Sequence, residues 1–238
     1  MARLGINIDH VATLRQARRE FDPDPLAAAR ICEKAGVHSI VCHLREDRRH
    51  INENDVRRLR KMVRTQLNLE MSLDPSIVRI AGHIRPDMAT IVPERRQELT
   101  TEGGLDVIKH FPRVRRVVTF LKKRGISVSL FVDPVKEQVE HAVKSGATII
   151  ELHTGKYANC KTVTARTKEL VKIKKAAMYA QQQGLLVSAG HGLKYHNTRA
   201  IAQIPGIYEL NIGHSIISRA VFSGLRQAVK DMLKVMKK

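Results

Sequence analysis

His43-Leu-Arg-Glu-Asp-Arg-Arg-His50 sets seven polar groups in eight residues directly after the apolar run Ser39-Ile-Val-Cys42. Imidazole, guanidinium and carboxylate side by side suit proton transfer and the holding of anions. An apolar run that ends abruptly in such groups fits a buried parallel strand delivering chemistry at its C-terminal end. The alternative is an ordinary solvated charged loop. Recurrence of the pattern along the chain argues against that alternative.

Seven further apolar runs end in the same way. Leu4 to Ile8 stops at Asp9-His10, Gln66 to Leu69 at Glu70, and Met88 to Val92 at Pro93. Ser127 to Val132 stops at Asp133 and Ala147 to Ile150 at Glu151-Leu-His153. Leu185 to Ala189 stops at Gly190-His191-Gly192, and Tyr208 to Ile212 at Gly213-His214. Of eleven histidines, five (His10, His43, His153, His191, His214) fall just past a predicted strand, with His50 and His196 in adjoining loops. One strand-end histidine is usually structural, but several strands delivering such groups to one rim point to a site.

Helical patterns separate the runs. Asp24-Pro25 opens one as cap and first turn, and Gly36 closes it. Others are expected from about Asn54, from Asp74-Pro75-Ser76, over Pro112 to Lys123, over Ala165 to Gln183, and from Ser215 nearly to the C-terminus. Eight β-then-α units without a linker predict one (β/α)8 TIM barrel domain with additional helices over 1–238. A doubly wound open sheet is the structural alternative. In a barrel the reacting groups sit at the C-terminal strand ends, and the loops after strands seven and eight commonly hold a phosphate. Gly190-His191-Gly192 and Gly213-His214-Ser215 supply glycines and a helix N-terminus there. Arg18 and Arg45 offer planar cationic forks for the same or a second phosphate. Cys42 lies inside its run, Cys32 on a helix and Cys160 in a loop, and no lysine stands at a strand end. The pattern therefore reads as a proton-transfer site with His43, Glu70 and His191 as acid–base groups. The aperiodic segment from Glu94 to Gly104 reads as a functional loop.

Composition narrows the class. With 238 residues the chain can bury a full core, and three cysteines without CxxC spacing point to a reducing compartment and no structural zinc. The N-terminus lacks an apolar signal core and no run reaches membrane-span length, so a cytoplasmic location is expected. A formal charge of +19 invites a nucleic-acid reading. Most of the surplus lies on helical stretches such as Arg57-Arg58-Leu-Arg60-Lys61, Arg113-Val-Arg115-Arg116 and Lys172-Ile-Lys174-Lys175, and aromatics make up only 4%. Solvated outer faces that attract small anionic substrates account for it, with no nucleic-acid or membrane partner expected.

On these residues the chain resembles the pyridoxine 5'-phosphate synthase family over nearly its whole length. The motifs are Asn7-Ile-Asp9-His10 through Arg15, His43 through His50, Asn68-Leu-Glu70-Met71, Val92-Pro-Glu through Asp106, Glu151-Leu-His-Thr-Gly155, Ala189-Gly-His-Gly-Leu193 and Glu209-Leu-Asn-Ile-Gly-His214. The resemblance implies a transferase-type synthase that condenses 3-amino-2-oxopropyl phosphate with 1-deoxy-D-xylulose 5-phosphate, closing the pyridine ring and releasing phosphate and water. It implies no cofactor and no metal. By the same likeness His43 is the proton acceptor, Glu70 a second acid–base group, His191 the proton donor and Glu151 the stabiliser of a charged intermediate. Asn7, Arg18, Gly192, Gly213 and His214 hold the aminooxopropyl phosphate. Asp9, His10, Arg45, His50 and Thr100 hold the deoxyxylulose phosphate. The segment from Glu94 to Gly104 is a lid against water, and the barrel assembles into a homo-oligomer, commonly an octamer.

Two rivals remain at this level. A metal-dependent barrel hydrolase or epimerase would place His-x-His after the first strand or Asp after the eighth, where Asp9-His10 and Gly213-His214 stand. A basic RNA-binding protein would need more than a scattered charge surplus.

Overall fold

Parallel strands covered by helices on their outer side bury both faces, which is why they read in sequence as apolar runs. The computed structural model describes residues 2–94 and 103–237. Eight parallel strands close into a barrel in chain order: β1 (Arg3–Asn7), β2 (Ser39–Leu44), β3 (Gln66–Met71), β4 (Met88–Ile91), β5 (Ser127–Val132), β6 (Ile149–His153), β7 (Leu186–Gly190) and β8 (Ile207–Ile212). Closure comes from β8 pairing with β1, Leu4 opposite Leu210 and Ile6 opposite Ile212.

Helices α1 (Asp9–Arg18) and α2 (Pro25–Ala35) follow β1. Then α3 (Glu53–Met62), α4 (Pro75–Ile84), α5 (Phe111–Lys122) and α6 (Lys136–Ser145) follow β2 to β5 in turn. After β6 come α7 (Gly155–Ala158) and α8 (Val163–Gln182), after β7 α9 (Thr198–Ala202), and after β8 α10 (His214–Ser223) and α11 (Leu225–Lys237). The expected caps form: Asp24 accepts from Leu26 N and Asp74 from Ser76 N, each followed by proline in the first turn.

The strands alternate in a way their apolar look conceals. Leu4, Ile6, Ile40, Cys42, Leu67, Leu69, Val128, Leu130, Ile150, Leu152, Val187 and Ala189 join the main core with the helices. The intervening positions are Gly5 and Asn7, Ser39 and His43, Asn68 and Glu70, Thr90, Ser129, Glu151 and His153, Ser188, Glu209 and Asn211. A Cβ on Gly5 would meet the side chains of Asn211, Ser39 and Glu209 at 2.3, 2.6 and 3.2 Å, so this second set fills the barrel's interior.

Several expectations are corrected. His43, Glu70, Glu151 and His153 are the ends of β2, β3 and β6, not residues after them. Polar side chains at alternate positions point inward and leave the backbone ladder intact, so polarity does not mark where these strands stop. A helix, α1, directly follows β1. Its polarity hid it, because its buried face includes Asp9 and Arg15 as well as Val11 and Ala12. The last helix is two, broken at Gly224, whose backbone has φ 76° and ψ 148°. The helix after β2, expected from about Asn54, begins at Glu53 behind an Asn52 cap that forms a capping box with Asp55.

Candidate active site

β1 and β2 are locked together at their C-terminal ends by one carboxylate. Asp9 Oδ1 accepts from His43 N at 2.8 Å, while Asp9 Oδ2 accepts from Asn7 Nδ2 at 2.8 Å. Asn7 Oδ1 in turn accepts from Asp9 N, and Asn7 Nδ2 reaches Glu70 Oε2 at 3.4 Å. One short network therefore ties the backbone at His43 and the carboxyl of Glu70 to the end of β1.

His43 is buried, and its Nε2 lies 2.8 Å from Glu94 Oε1. The other oxygen of Glu94 accepts from Glu46 N at 3.0 Å. Burial opposes ionisation of Glu94, yet the contacts with His43, the Glu46 N–H and Arg45 together hold it below the usual carboxylate range. An ionised partner at this distance orients the ring. Sequence reading placed Glu94 in the aperiodic segment and gave it no individual role.

Two further carboxyls face the interior. Desolvation, then the charges of Glu151 and Asp9, push Glu70 well above its ordinary value. Desolvation also raises Glu151, to about 7, against the opposing hydrogen bond from Asn211 Nδ2 at 2.6 Å. Acids this close in a dry interior cannot all ionise, so the rim stores protons at neutral pH.

The turn after β7 carries His191 with φ 77° and Gly192 with φ 77°. The Thr154 hydroxyl, 2.7 Å from Gly190 O and 2.6 Å from His191 O, fastens this left-handed turn. Burial and the neighbouring His153 push the His191 ring down to about 4. Gly213 caps α10 without a side-chain bond, leaving the first backbone N–H groups of that helix for an anion. A Cβ at Gly213 would stand 2.8 Å from Asn7 Cβ, and one at Gly192 would stand 2.8 Å from Ala158 Cβ. Both sites need glycine for close approach. His10 and His214 meet edge to face at 4.8 Å, joining the end of β1 to the start of α10. Burial, then His214, lowers the His10 ring.

The structure thus gathers Asn7, Asp9, His10, His43, Glu70, Glu94, Glu151, His191, Gly192, Gly213 and His214 around one end of the barrel. Arg45 is 5% exposed and turned onto Asp47, Nε and Nη2 each 3.2 Å from a carboxylate oxygen. His50 stands beside His43, ring centroids 6.0 Å apart, with Nδ1 accepting from Ile51 N. Arg18 differs. It is exposed in the last turn of α1, and no contact among the described residues ties it to the rim. Thr100 and most of the expected lid lie outside the described residues. Sequence reading also missed Asn211, hidden inside an apolar run, and gave no role to the Asp133–His153 pair.

Asp9, His43 and His50 offer ligand atoms all within 4.8 Å of one another, the one such group of three among the described residues. Two imidazoles and a carboxylate suit a divalent transition ion. Here Asp9 already accepts two hydrogen bonds and His43 faces Glu94, so the same atoms serve the acid–base network.

Comparison with known proteins adds the following. The family profile described as "Pyridoxal phosphate biosynthesis protein PdxJ" matches residues 4–238. A pyridoxine 5'-phosphate synthase from Synechococcus sp. (strain JA-2-3B'a(2-13)) is 56% identical over 236 residues, covering 99% of each chain. Another from Geotalea daltonii is 55% identical over 237 residues, 100% of this chain and 99% of the other. Among solved structures, KGPDC from Streptococcus mutans superposes with TM-score 0.66 at 14% identity, covering 100% and 98% of the two chains. Monomers of the dimeric phosphoribosylanthranilate isomerase from Thermotoga maritima give 0.62 at 13%, covering 100% and 99%. These last two likenesses bear on the fold.

Proposed function

Because this chain belongs to the pyridoxal phosphate biosynthesis protein PdxJ family, we propose that the rim just described closes the pyridine ring of pyridoxine 5'-phosphate by acid–base catalysis. The enzyme condenses 3-amino-2-oxopropyl phosphate with 1-deoxy-D-xylulose 5-phosphate and releases phosphate and water. Imine formation, proton removals, loss of phosphate, dehydration and ring closure need groups that give and take protons repeatedly at neutral pH.

His43, oriented by Glu94, takes the first proton. Glu70, raised by burial and the charges of Glu151 and Asp9, and Glu151, raised by burial and the charge of Glu209, share protons between successive steps, and Glu151 in its ionised form faces cationic imine character. Burial and His153 keep His191 neutral at pH 7. A substrate phosphate seated at Gly192, Gly213 and the N-terminus of α10 brings the negative charge that lets it collect the proton it donates. Asp9, His10, Arg45, His50 and Thr100 are assigned to the deoxyxylulose phosphate. Asn7, Arg18 and His214 join the two glycines on the aminooxopropyl phosphate. For Arg45 this requires exchanging Asp47 for phosphate, which a planar fork does without changing its geometry. The segment between Glu94 and Gly104 is assigned as the lid that keeps water from imine and enol intermediates.

Four titratable groups suffice for this proton traffic, so the reading uses no metal or organic cofactor; stoichiometric metal in protein purified without added metal would overturn that part. Exposed apolar side chains, Phe222 at 92%, Phe21 at 79% and Val221 at 69%, support a homo-oligomer, proposed as an octamer of one-domain protomers in the cytoplasm. Light scattering on the purified protein tests the assembly.

The observation that carries the reading is that His43 and Glu70, joined through Asn7 and Asp9, share one rim with Glu151 and His191. Incubation of the purified protein with both phosphates should yield pyridoxine 5'-phosphate. His191→Ala should fold normally and lose turnover by about two or more orders of magnitude. Normal product formation by that variant would remove His191 from the mechanism.

A further inference from the structure

Beside His191 lies a pair, buried His153 and half-buried Asp133, that the proposed reaction leaves unused. His153, the last residue of β6, is 3% exposed; its Nδ1 lies 3.0 Å from Asp133 Oδ1, and its Nε2 is buried without a protein hydrogen-bond partner. The ring sits between Phe131 and His191, with both centroid distances 5.2 Å. Gly155 permits this approach, since a Cβ there would stand 2.4 Å from His153 Nε2 and 3.0 Å from His191 Cδ2. The unpartnered nitrogen and the edge of the His191 ring thus border the same point.

Asp133 is ionised. The hydrogen bond from His153 outweighs burial, and Lys156 Nζ at 3.7 Å adds to it, so the carboxyl sits below its usual range. An ionised carboxylate only accepts hydrogen bonds, so the ring must present N–H at Nδ1, and the neutral ring's Nε2 is then a bare lone pair. The second constraint on Asp133 is Gly104 N, 3.3 Å from the same oxygen.

We propose that Asp133 and His153 are a positioning pair for His191, Asp133 fixing the Nδ1–H tautomer of His153 so that a bare nitrogen, and not a second N–H, faces the His191 ring. The edge of an imidazolium is electropositive. As a cation His153 opposes protonation of His191; as the neutral Nδ1–H tautomer it sets a lone pair beside that ring, which favours the protonated form, whereas an N–H pointed at it opposes that state. The charged groups around the two rings are Asp133 from the end of β5, Lys156 from α7 and, deeper on β6, Glu151. This inference rests on His191 being the donor, and the experiment separates the two.

Asp133→Leu keeps the branched shape but removes the acceptor, so nothing holds the proton on Nδ1 and the ring is free to carry it on Nε2. The expected result is kcat lower by about 10- to 100-fold with KM for both phosphates within about two-fold, a smaller loss than where the histidine is itself the base. The alkaline limb of kcat, which reports the protonated donor, should move to lower pH. In a His191→Ala background the same change should add no further loss. Nitrogen-15 spectra of the full chain should show His153 as the Nδ1–H tautomer in the wild type and with Nε2–H populated in Asp133→Leu. A folded Asp133→Leu with unchanged kcat and pH limb, a loss confined to KM, or a wild-type spectrum showing Nε2–H overturns the pair. The wild-type spectrum decides even if the variant does not fold. Retained turnover in His191→Ala would instead sink the donor assignment and leave the tautomer result standing.

Discussion

Glu151 and His191 occupy one dry environment and respond in opposite directions, because burial favours the neutral form of each, raising the acid and lowering the base. Glu151 has a folded value near 7 against an ordinary 4.5, so its contribution to stability is full below pH 4.5 and is lost as pH rises through about 7. The ceiling on that contribution is about 3 kcal/mol at 1.36 kcal/mol per unit. Glu151→Gln keeps an acceptor for Asn211 and removes the titration. Its melting temperature should fall less between pH 5 and pH 8 than that of the wild type; equal slopes would refute the shift. His191 acts in the other window, its contribution present above pH 6.5 and lost as pH falls through about 4. The identities of these residues were legible in the sequence as strand-end polar groups. Their protonation was not, because it depends on which carboxyls meet inside the barrel, and Glu70 and Glu151 lie on strands eighty residues apart.

Among the elements, α3 does more than cover β2 and β3. Asn52 and Asp55 exchange hydrogen bonds at 3.1 and 3.0 Å across its first turn. The same Asp55 holds Arg15 of α1 through two bonds of 2.8 Å, and Arg15 donates to His50 O. One cap therefore anchors the loop that carries His50. Asn52→Ala should cost about 1 kcal/mol of unfolding free energy and weaken affinity for the substrate held by His50. Unchanged urea midpoint and KM together would disprove that linkage. The strand count and order, and the Asp24 and Asp74 caps, were legible from local pattern. α1 was not, because its buried stripe is closed by the Arg15–Asp55 ion pair, a long-range partnership that local periodicity does not register. Strand ends were also misjudged wherever an inward-facing polar residue interrupts an apolar run, as at His43 and Glu70.

At the scale of the molecule, charge is sorted by radius. The acids Asp9, Glu70, Glu151 and Glu209 lie on the barrel's interior or rim, while Arg57, Arg115, Arg116, Lys174 and Lys175 stand exposed on outer helices. With a formal charge of +19, the exterior draws dianionic substrates inward over about a Debye length. KM for both phosphates should therefore rise several-fold as potassium chloride goes from roughly 0.05 to 0.5 M, with kcat nearly constant. A salt-independent KM would show that the surplus has no part in capture. The basic composition was plain in the sequence; its segregation from the acids needed the closed sheet. Because alternate positions on each strand answer to different surroundings, the outer coat and the inner lining of this barrel are separately editable. Helix-surface cations can drift or be redesigned for solubility and encounter rate, while the chemistry within is inherited untouched.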